Sequence, residues 1–363
     1  MALKFHKLEV KNKIQETSVA VSLVFKVPDD LKSEYEYKSG QYLTLRFFID
    51  GKDQRRAYSF ASSPYTDQDI KVTIKEVPNG IISNHISNNV NIGDMIDVMT
   101  PTGNFTAKLN EANSNHYFMF AGGSGITPIM SLTKSILFIE KNSSITLVYG
   151  NKTKNSIIFQ QELQELKNKY DNLKIIHILD MLEDGFEAKQ GIITSQIVKE
   201  ILEESPSFNS SIFYLCGPAG FINIIDKELN HYQIDKNLIH TESFSTTINE
   251  TSVDDDKIKQ NQSSSNILSD EVKKVKLVLY GEELDLDVIG DETIIEACQR
   301  EGIEAPYSCC VGACSTCISK LVSGEVEMDD DMALTDDEKE EGLILACTSH
   351  PLTDDVKIDF DYY

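Results

Sequence analysis

The chain is short of cations, of long apolar runs and of an apolar leader, and each shortage argues against a class of function. Against 58 Asp and Glu it sets only 34 Lys and Arg, a formal net charge of −24. Phosphate-rich partners are held by concentrated Lys and Arg, so this balance argues against nucleic acid or an anionic membrane as a partner. A surplus of acid instead suits a partner with a basic docking patch, because complementary potentials speed encounter. No stretch approaches the ~20 apolar residues that span a bilayer. The opening Met1-Ala2-Leu3-Lys4-Phe5-His6 lacks the apolar core of a secretory signal. The expectation is a cytoplasmic protein, in which seven cysteines are metal ligands or core residues rather than disulfides.

What is present is ordinary globular composition, 40% hydrophobic and 25% charged, over 363 residues. That length exceeds one ordinary core and implies two or three domains. Residues 1–108 read as β-rich: Val19–Val27, Tyr42–Phe48 and Ile70–Val77 alternate and are separated by turns at Pro28-Asp29-Asp30, Asp50-Gly51-Lys52 and Pro78-Asn79-Gly80. Short strands at this spacing suggest a barrel or sandwich. Over residues 109–246 the pattern changes to strands alternating with helices, which means βαβ units and a parallel sheet. Strands fall at Tyr117–Ala121, Ile145–Tyr149, Lys174–Leu179 and Ser211–Leu215, and helices at Ile129–Ile139, Ser156–Tyr170 and Thr194–Leu202. Residues 247–272 are polar and nearly free of aromatics, the composition of a flexible linker. The last segment, 273–363, holds most of the cysteines and most of the acidity: 23 Asp and Glu against 7 Lys and Arg, a net −16.

The cysteines of that segment carry the sharpest signal. Cys309, Cys314 and Cys317 are spaced C-x4-C-x2-C, with Cys347 thirty residues further on, the spacing of a plant-type [2Fe–2S] site. Three thiolates on one tight loop can wrap a cluster, and the small Gly312, Ala313 and Ser315 let backbone amides approach its sulfurs. Four cysteines also make a zinc site, but zinc ribbons use two C-x2-C knuckles and here there is one. Cys310 adjoins a ligand and reads as a non-ligating neighbour. Cys298, in the helical stretch Thr293–Arg300, reads as core.

Pro306-Tyr307-Ser308-Cys309, Cys314-Ser315-Thr316-Cys317 and Gly342-Leu343-Ile344-Leu345-Ala346-Cys347 resemble the plant-type ferredoxin family across nearly all of 273–363. The resemblance implies a β-grasp fold that moves single electrons. In that family a basic residue often follows the first ligand, where this chain has Cys310.

Several earlier motifs resemble the ferredoxin–NADP reductase superfamily. Arg56-Ala57-Tyr58-Ser59 matches its flavin motif, in which Arg clamps a pyrophosphate, Tyr stacks on the isoalloxazine and Ser bonds the flavin's polar edge. Gly80 to Ser83 opens a short helix whose amides can hold flavin phosphates. Gly122-Gly123-Ser124-Gly125-Ile126-Thr127-Pro128 matches the superfamily's nicotinamide-nucleotide loop. Alone it is a tight βα turn, since Pro128 replaces the last glycine of G-x-G-x-x-G. Asn151 follows the next strand, in the crevice outside the strand ends. Cys216-Gly217-Pro218, after the last strand, matches the C-G-P motif lining the nicotinamide site, and Glu242-Ser243-Phe244 the acidic-x-aromatic terminus beside the flavin.

The domain order resembles the reductase components of multicomponent oxygenases, those of the phenylacetyl-CoA epoxidase type among them. The resemblance implies an antiparallel β-barrel flavin domain, an α/β parallel-sheet nucleotide domain and a β-grasp ferredoxin domain. It implies electron flow from NAD(P)H through FAD and a [2Fe–2S] cluster to an oxygenase of aromatic degradation. No acid–base residue is needed, and none of the seven histidines is assigned one. The alternatives are a ferredoxin or flavodoxin reductase, a supplier to a desaturase, a non-turnover redox sensor and a zinc-bearing binding module. Lys152, Thr153, Lys154 and Ser156, with no acid among them, lean the nucleotide toward NADPH.

Overall fold

The structure, a computed structural model, describes residues 4–205, 208–244, 272–312, 314–331 and 333–362. The expected linker 247–272 thus lies, but for its last residue, outside the described residues, as does Ala313. The described residues form two compact units, 4–244 and 272–362.

The first unit opens with six antiparallel strands: β1 (Phe5–Thr17), β2 (Ala20–Lys26), β3 (Tyr42–Ile49), β4 (Lys52–Ser59), β5 (Ile70–Lys75) and β6 (Met95–Met99). They are ordered β4-β3-β6-β1-β2-β5. A bridge between Phe60 and Val72 joins the end of β4 to β5 and closes the sheet into a barrel. The turn between β3 and β4 is two residues, Asp50 and Gly51, at φ of 51° and 75°. Left-handed backbone at both positions gives the twist a right-handed hairpin needs, and Asp-Gly is the pair that tolerates it. The inward alternation of Leu8, Val10, Leu23, Phe25, Leu43, Leu45, Val72 and Ile74 is fully or almost fully shielded from water. Each such side chain contributes about 1.5–3 kcal/mol of burial free energy. Helix α1 (Ile81–Asn89) covers the barrel through Ile82 and Ile86.

A parallel sheet follows: β7 (His116–Gly122), β8 (Ser144–Asn151), β9 (Leu173–Leu179), β10 (Lys189–Gln190), β11 (Ile212–Gly217) and β12 (Ile239–Ser243). Their spatial order is β10-β9-β8-β7-β11-β12, so the winding direction reverses between β7 and β11. The helices are α2 (Ile126–Ile139), α3 (Gln160–Lys169), α4 (Ser195–Glu203) and α5 (Ala219–His231). Two expectations need correction. Ser156–Tyr170 is not one helix: Phe159 sits at φ 61°, its ring buried, and α3 begins only after it. Cys216-Gly217 ends β11, not the last strand, because β12 adds a further strand whose short polar run Ile239–Ser243 hides its type.

Helix α2 fastens sheet to barrel. The Ser131 hydroxyl donates to the Ser62 carbonyl at 2.6 Å, and the buried Lys134 ammonium lies 2.7 Å from Asp67 and 2.6 Å from Glu162. Lys71 of β5 reaches the same Glu162 at 2.9 Å. Two cations hold the Glu162 carboxyl below the usual range against the opposing effect of burial.

The second unit is a mixed sheet of β13 (Val272–Leu279), β14 (Glu282–Ile289), β15 (Ile318–Ser323), β17 (Leu343–Leu345) and β19 (Val356–Asp359). Its order is β14-β13-β19-β15-β17, and only β13 and β19 run parallel. A two-stranded ribbon, β16 (Val326–Met328) with β18 (Ser349–Pro351), and the short α7 (Asp336–Glu340) complete it. Helix α6 (Ile294–Glu301) lies against the sheet through Ile294, Ile295, Ala297 and Cys298. Its ends are marked in the sequence: Thr293 and Glu296 form a capping box, and Gly302 takes the left-handed C-terminal position. Cys298 is core, its thiol pushed up to about 12 by burial. This is the β-grasp arrangement.

Candidate redox site

The reversal between β7 and β11 leaves a crevice outside their carboxyl ends, where α/β sheets bind ligands. Glycine is required there by close approach. A Cβ on Gly125 would stand 2.1 Å from the Cys216 carbonyl oxygen, and one on Gly217 would stand 3.0 Å from the Gly122 Cα. Gly123 turns the chain at φ 54°, and the buried Tyr149 hydroxyl donates to its carbonyl at 3.1 Å. Thr127 donates to the Ser124 carbonyl at 3.1 Å, and Pro128 lies buried in the first turn of α2. Pro218 lies 3.0 Å from the position of a Gly122 Cβ. At the end of β8, Asn151 is buried near the Tyr149 hydroxyl, and among the described residues its side-chain amide makes no hydrogen bond of ordinary geometry. A buried amide without partners is costly, so this one fits a ligand entering the crevice.

A cation that sequence reasoning passed over faces the glycine turn. The Lys75 ammonium of β5 lies 3.3 Å from where a Gly123 Cβ would be. Burial lowers its pKa, with Lys152 as a second cause, and among the described residues it has no acidic partner. Only the fold brings β5 against the glycine turn after β7, and a single Lys in an alternating strand carries no local signal.

The flavin-motif residues gather beside this crevice. The Ser59 hydroxyl of β4 donates to Glu242 of β12 at 3.3 Å, across 183 positions of sequence. Glu242 pairs in register with Cys216, and the Phe244 amide donates to the Gly217 carbonyl at 2.9 Å. Burial pushes the Glu242 carboxyl up to about 8, so it holds its proton at neutral pH. Cys216 is fully buried, which raises its thiol well above the usual range. Tyr58 is half-buried, its hydroxyl held above its ordinary value by desolvation. Arg56 is exposed and donates to the Arg55 carbonyl at 2.7 Å, whereas Arg55 is committed to Asp53 at 2.8 Å. At the start of α1, Ser83 accepts from the Val77 amide at 3.2 Å, and a Cβ on Gly80 would stand 2.5 Å from the Ser83 oxygen. Among the described residues no side-chain cap bonds the amides of that first turn. An exposed guanidinium, uncapped helix amides and a protonated carboxyl fit a flavin nucleotide's phosphates and polar ring edge.

In the second unit the four expected cysteines converge. Cys314 neighbours Cys309, Cys309 neighbours Cys347, and Cys347 neighbours Cys317. No three His, Cys, Asp or Glu side chains among the described residues close on a single ion. A string of four thiols fits donors shared between two irons. At Cys309 the contact with Cys314 pulls the thiol down, but the contact with Cys347 and burial outweigh it and push it up to about 11. Metal binding must displace these protons. Gly312 takes φ 66° with its Cβ position 2.8 Å from the Asp330 carbonyl oxygen, so no other residue fits that point of the loop. Among the described residues the buried Ser308 hydroxyl makes no hydrogen bond, which leaves it a donor for a cluster sulfur. Cys310 is exposed, at φ 56°.

Crevice and cysteine loop together define an oxidoreductase that combines flavin, nicotinamide nucleotide and an iron–sulfur cluster. Family models agree in chain order: an oxidoreductase FAD-binding domain over residues 7–107, an oxidoreductase NAD-binding domain over 119–227, and a 2Fe-2S iron-sulfur cluster binding domain over 278–352. The chain is 33% identical to the ferredoxin reductase component of 3-ketosteroid-9-alpha-monooxygenase from Rhodococcus rhodochrous, over 97% of this chain and 96% of that one. It is also 33% identical to a component of 1,2-phenylacetyl-CoA epoxidase from Escherichia coli, over 98% of each. The structure of phthalate dioxygenase reductase shares the fold over 98% of both chains, with a TM-score of 0.58 at 22% identity. The protein belongs to the family of NAD(P)H-dependent flavin and [2Fe–2S] reductase components of oxygenases.

Proposed function

We propose that this chain feeds single electrons to a separate oxygenase, of aromatic or related ring substrates, that meets it through a basic docking surface. The observation that carries this reading is the presence of all three modules in one chain matched end to end by oxygenase reductases. The acidity of 273–363 supports a basic partner. None of the seven cysteines is in a disulfide, which suits the cytoplasm, where thiols are kept reduced. Among the described residues no helix is long and apolar enough to cross a membrane.

Within this reading Arg56 and the first turn of α1, from Gly80 to Ser83, hold the flavin phosphates, and Tyr58, Ser59 and Phe244 frame its ring. Glu242, protonated and bonded to Ser59, places a proton donor at the ring's edge. Gly122, Gly123, Gly125, Thr127 and Pro128 shape the pyrophosphate pocket, with Lys75 as its cation, Asn151 on the adenosine side and Cys216-Gly217-Pro218 on the nicotinamide side. Cys309, Cys314, Cys317 and Cys347 hold the cluster. When bound, the flavin converts a two-electron hydride into single electrons, and the cluster carries them one at a time. The protein's share is position and electrostatics.

The test is the spectrum of anaerobically purified protein followed by titration with NADH and NADPH. Flavin bands overlaid on iron–sulfur absorption, bleached by nucleotide, are expected, with steady reduction of a one-electron acceptor. Absence of iron and labile sulfide would sink the relay.

A further inference from the structure

Helix α1 offers its first turn to the flavin phosphates, and its other end is tied down by a lysine of the barrel. The Lys13 ammonium of β1 donates to the carbonyls of Ile86 at 3.2 Å, Ser87 at 2.7 Å and Val90 at 2.8 Å. An ammonium has three donors, so this one is saturated by the end of a single helix. The last carbonyls of a helix have no partners within it, and these three find theirs in Lys13. α1 has no basic residue of its own in its last turn. The cation that suits a helix C-terminus therefore comes from another element, at least 73 positions away in sequence.

A β-bulge puts the lysine there. β1 pairs with β2 as Val10 with Phe25 and then as Asn12 with Val24, so Lys11 is an extra residue. Without it, the alternation that turns Leu8 and Val10 inward would turn Lys13 outward. With it, Lys13 stands opposite the fully buried Leu23, and directly opposed residues share one face of a sheet. β1 also holds the turn that follows α1: the Gly93 amide donates to the Val10 carbonyl at 2.8 Å, and the Val10 amide to the Asp94 carbonyl at 2.9 Å. A rigid helix fixed at its end is fixed in aim at its start.

We propose that Lys13 is a positioning residue for the flavin: by clamping the C-terminal carbonyls of α1 to β1, it holds the turn from Gly80 to Ser83 in the line that binds the cofactor's phosphates. The proposal rests on the reading of that turn as the flavin-phosphate site. Lys13 acts through the helix, since it binds the opposite end of a helix of nine residues. That separation is about 13 Å at the rise of an α-helix. Its effect is therefore confined to the phosphate-bearing part of the ligand, while the ring is framed by Tyr58, Ser59 and Phe244. Loss of the clamp frees the helix end and removes the charge that complements its dipole, which lowers the affinity for a phosphorylated flavin about tenfold.

The test is titration of the full chain, stripped of flavin, with FAD, FMN and riboflavin, followed by flavin fluorescence. Riboflavin carries the ring without a phosphate, so it separates the aim of α1 from a general loss of structure. The wild type is expected to bind FAD and FMN more tightly than riboflavin. Lys13→Met, which keeps a stem of similar length, should weaken FAD and FMN about tenfold and leave riboflavin within about twofold. Lys13→Arg restores the cation and its donors and should recover most of the loss. Lys13→Gln, with donors but no charge, carries the same comparison should the Met variant not fold. FAD affinity unmoved by loss of the lysine, or not recovered in Lys13→Arg, overturns the assignment. FAD and riboflavin weakened alike overturns it too, because a merely structural role predicts that result. If the wild type binds no flavin, or binds FAD no more tightly than riboflavin, the reading of the phosphate turn falls first and takes this inference with it.

Discussion

Gly125→Ala is the sharpest test of how the crevice is built. Gly125 has φ −58° and ψ −9°, ordinary right-handed helical backbone that any residue adopts. The substitution therefore carries no conformational penalty and isolates packing. Its methyl would stand 2.1 Å from the Cys216 carbonyl oxygen, 2.4 Å from its carbonyl carbon and 2.8 Å from the Gly217 nitrogen. All three are main-chain atoms of a central strand, so no side chain can swing away. Relief requires α2 and β11 to part by more than an ångström, against a buried interface that includes Tyr214 and Cys216. Overpacking of this kind costs about 3 kcal/mol, at the upper end of the usual range. For a unit of this size that corresponds to a fall in Tm of roughly 6–12 °C. The assay is differential scanning calorimetry, with 5′-AMP affinity measured on the same samples. Gly220→Ala is the control: its Cβ would meet nothing within 4 Å, and alanine suits helix α5, so its Tm should hold or rise slightly. A Gly125→Ala protein that melts within about 2 °C of the wild type, with unchanged 5′-AMP affinity, would refute the reasoning.

Burial raises the Glu242 carboxyl from 4.5 to about 8, so the folded form binds that proton more tightly than the unfolded chain. Its stabilisation is complete below pH 4.5 and is lost as pH rises to about 8. The loss is at most ~1.4 kcal/mol per pH unit, less for a group with some solvent contact. Urea midpoints of the flavin-free protein should therefore fall more between about pH 5 and 8 in the wild type than in Glu242→Gln. Equal slopes would count against the buried, protonated carboxyl. Cys347→Ser should lose iron, labile sulfide and the visible cluster absorption; full iron content in that variant would remove Cys347 from the ligand set. Lys75→Met should raise the KM for NADH about tenfold, the scale of one charge-assisted hydrogen bond. A KM unchanged within twofold would show that Lys75 does not meet the pyrophosphate.

The elements with strong local signals were legible in the chain. The Asp50-Gly51 hairpin, the Thr293–Glu296 capping box and the buried runs Tyr117–Ala121 and Ile145–Tyr149 each carry their structure in adjacent residues. The helix following Gly125 was found, though it starts at Ile126 rather than Ile129. Others were not legible, for physical reasons. Phe159 looks helical by pattern, but its ring belongs to the core beneath the sheet, and placing it there forces left-handed backbone that ends the pattern. β12 is five residues of mixed polarity, and it is a strand because β11 offers it an open edge. Lys75 gave no signal at all, being one charged residue at a strand end.

What the sequence determined by itself was chemistry: four cysteines whose spacing suits two irons, glycines where a phosphate must come close, and a charge balance that points to a basic partner. Such features depend on residues near one another in the chain. Which distant residues share a site was decided only by folding. Ser59 meets Glu242 across 183 positions because barrel and sheet are clamped through α2, and Cys347 joins the thiol string because the chain returns along β17 beside β15. The Asp180 amide meets the Asn151 carbonyl because β9 lies next to β8. Proximity of this kind is a property of strand order, which no local pattern of residue types encodes.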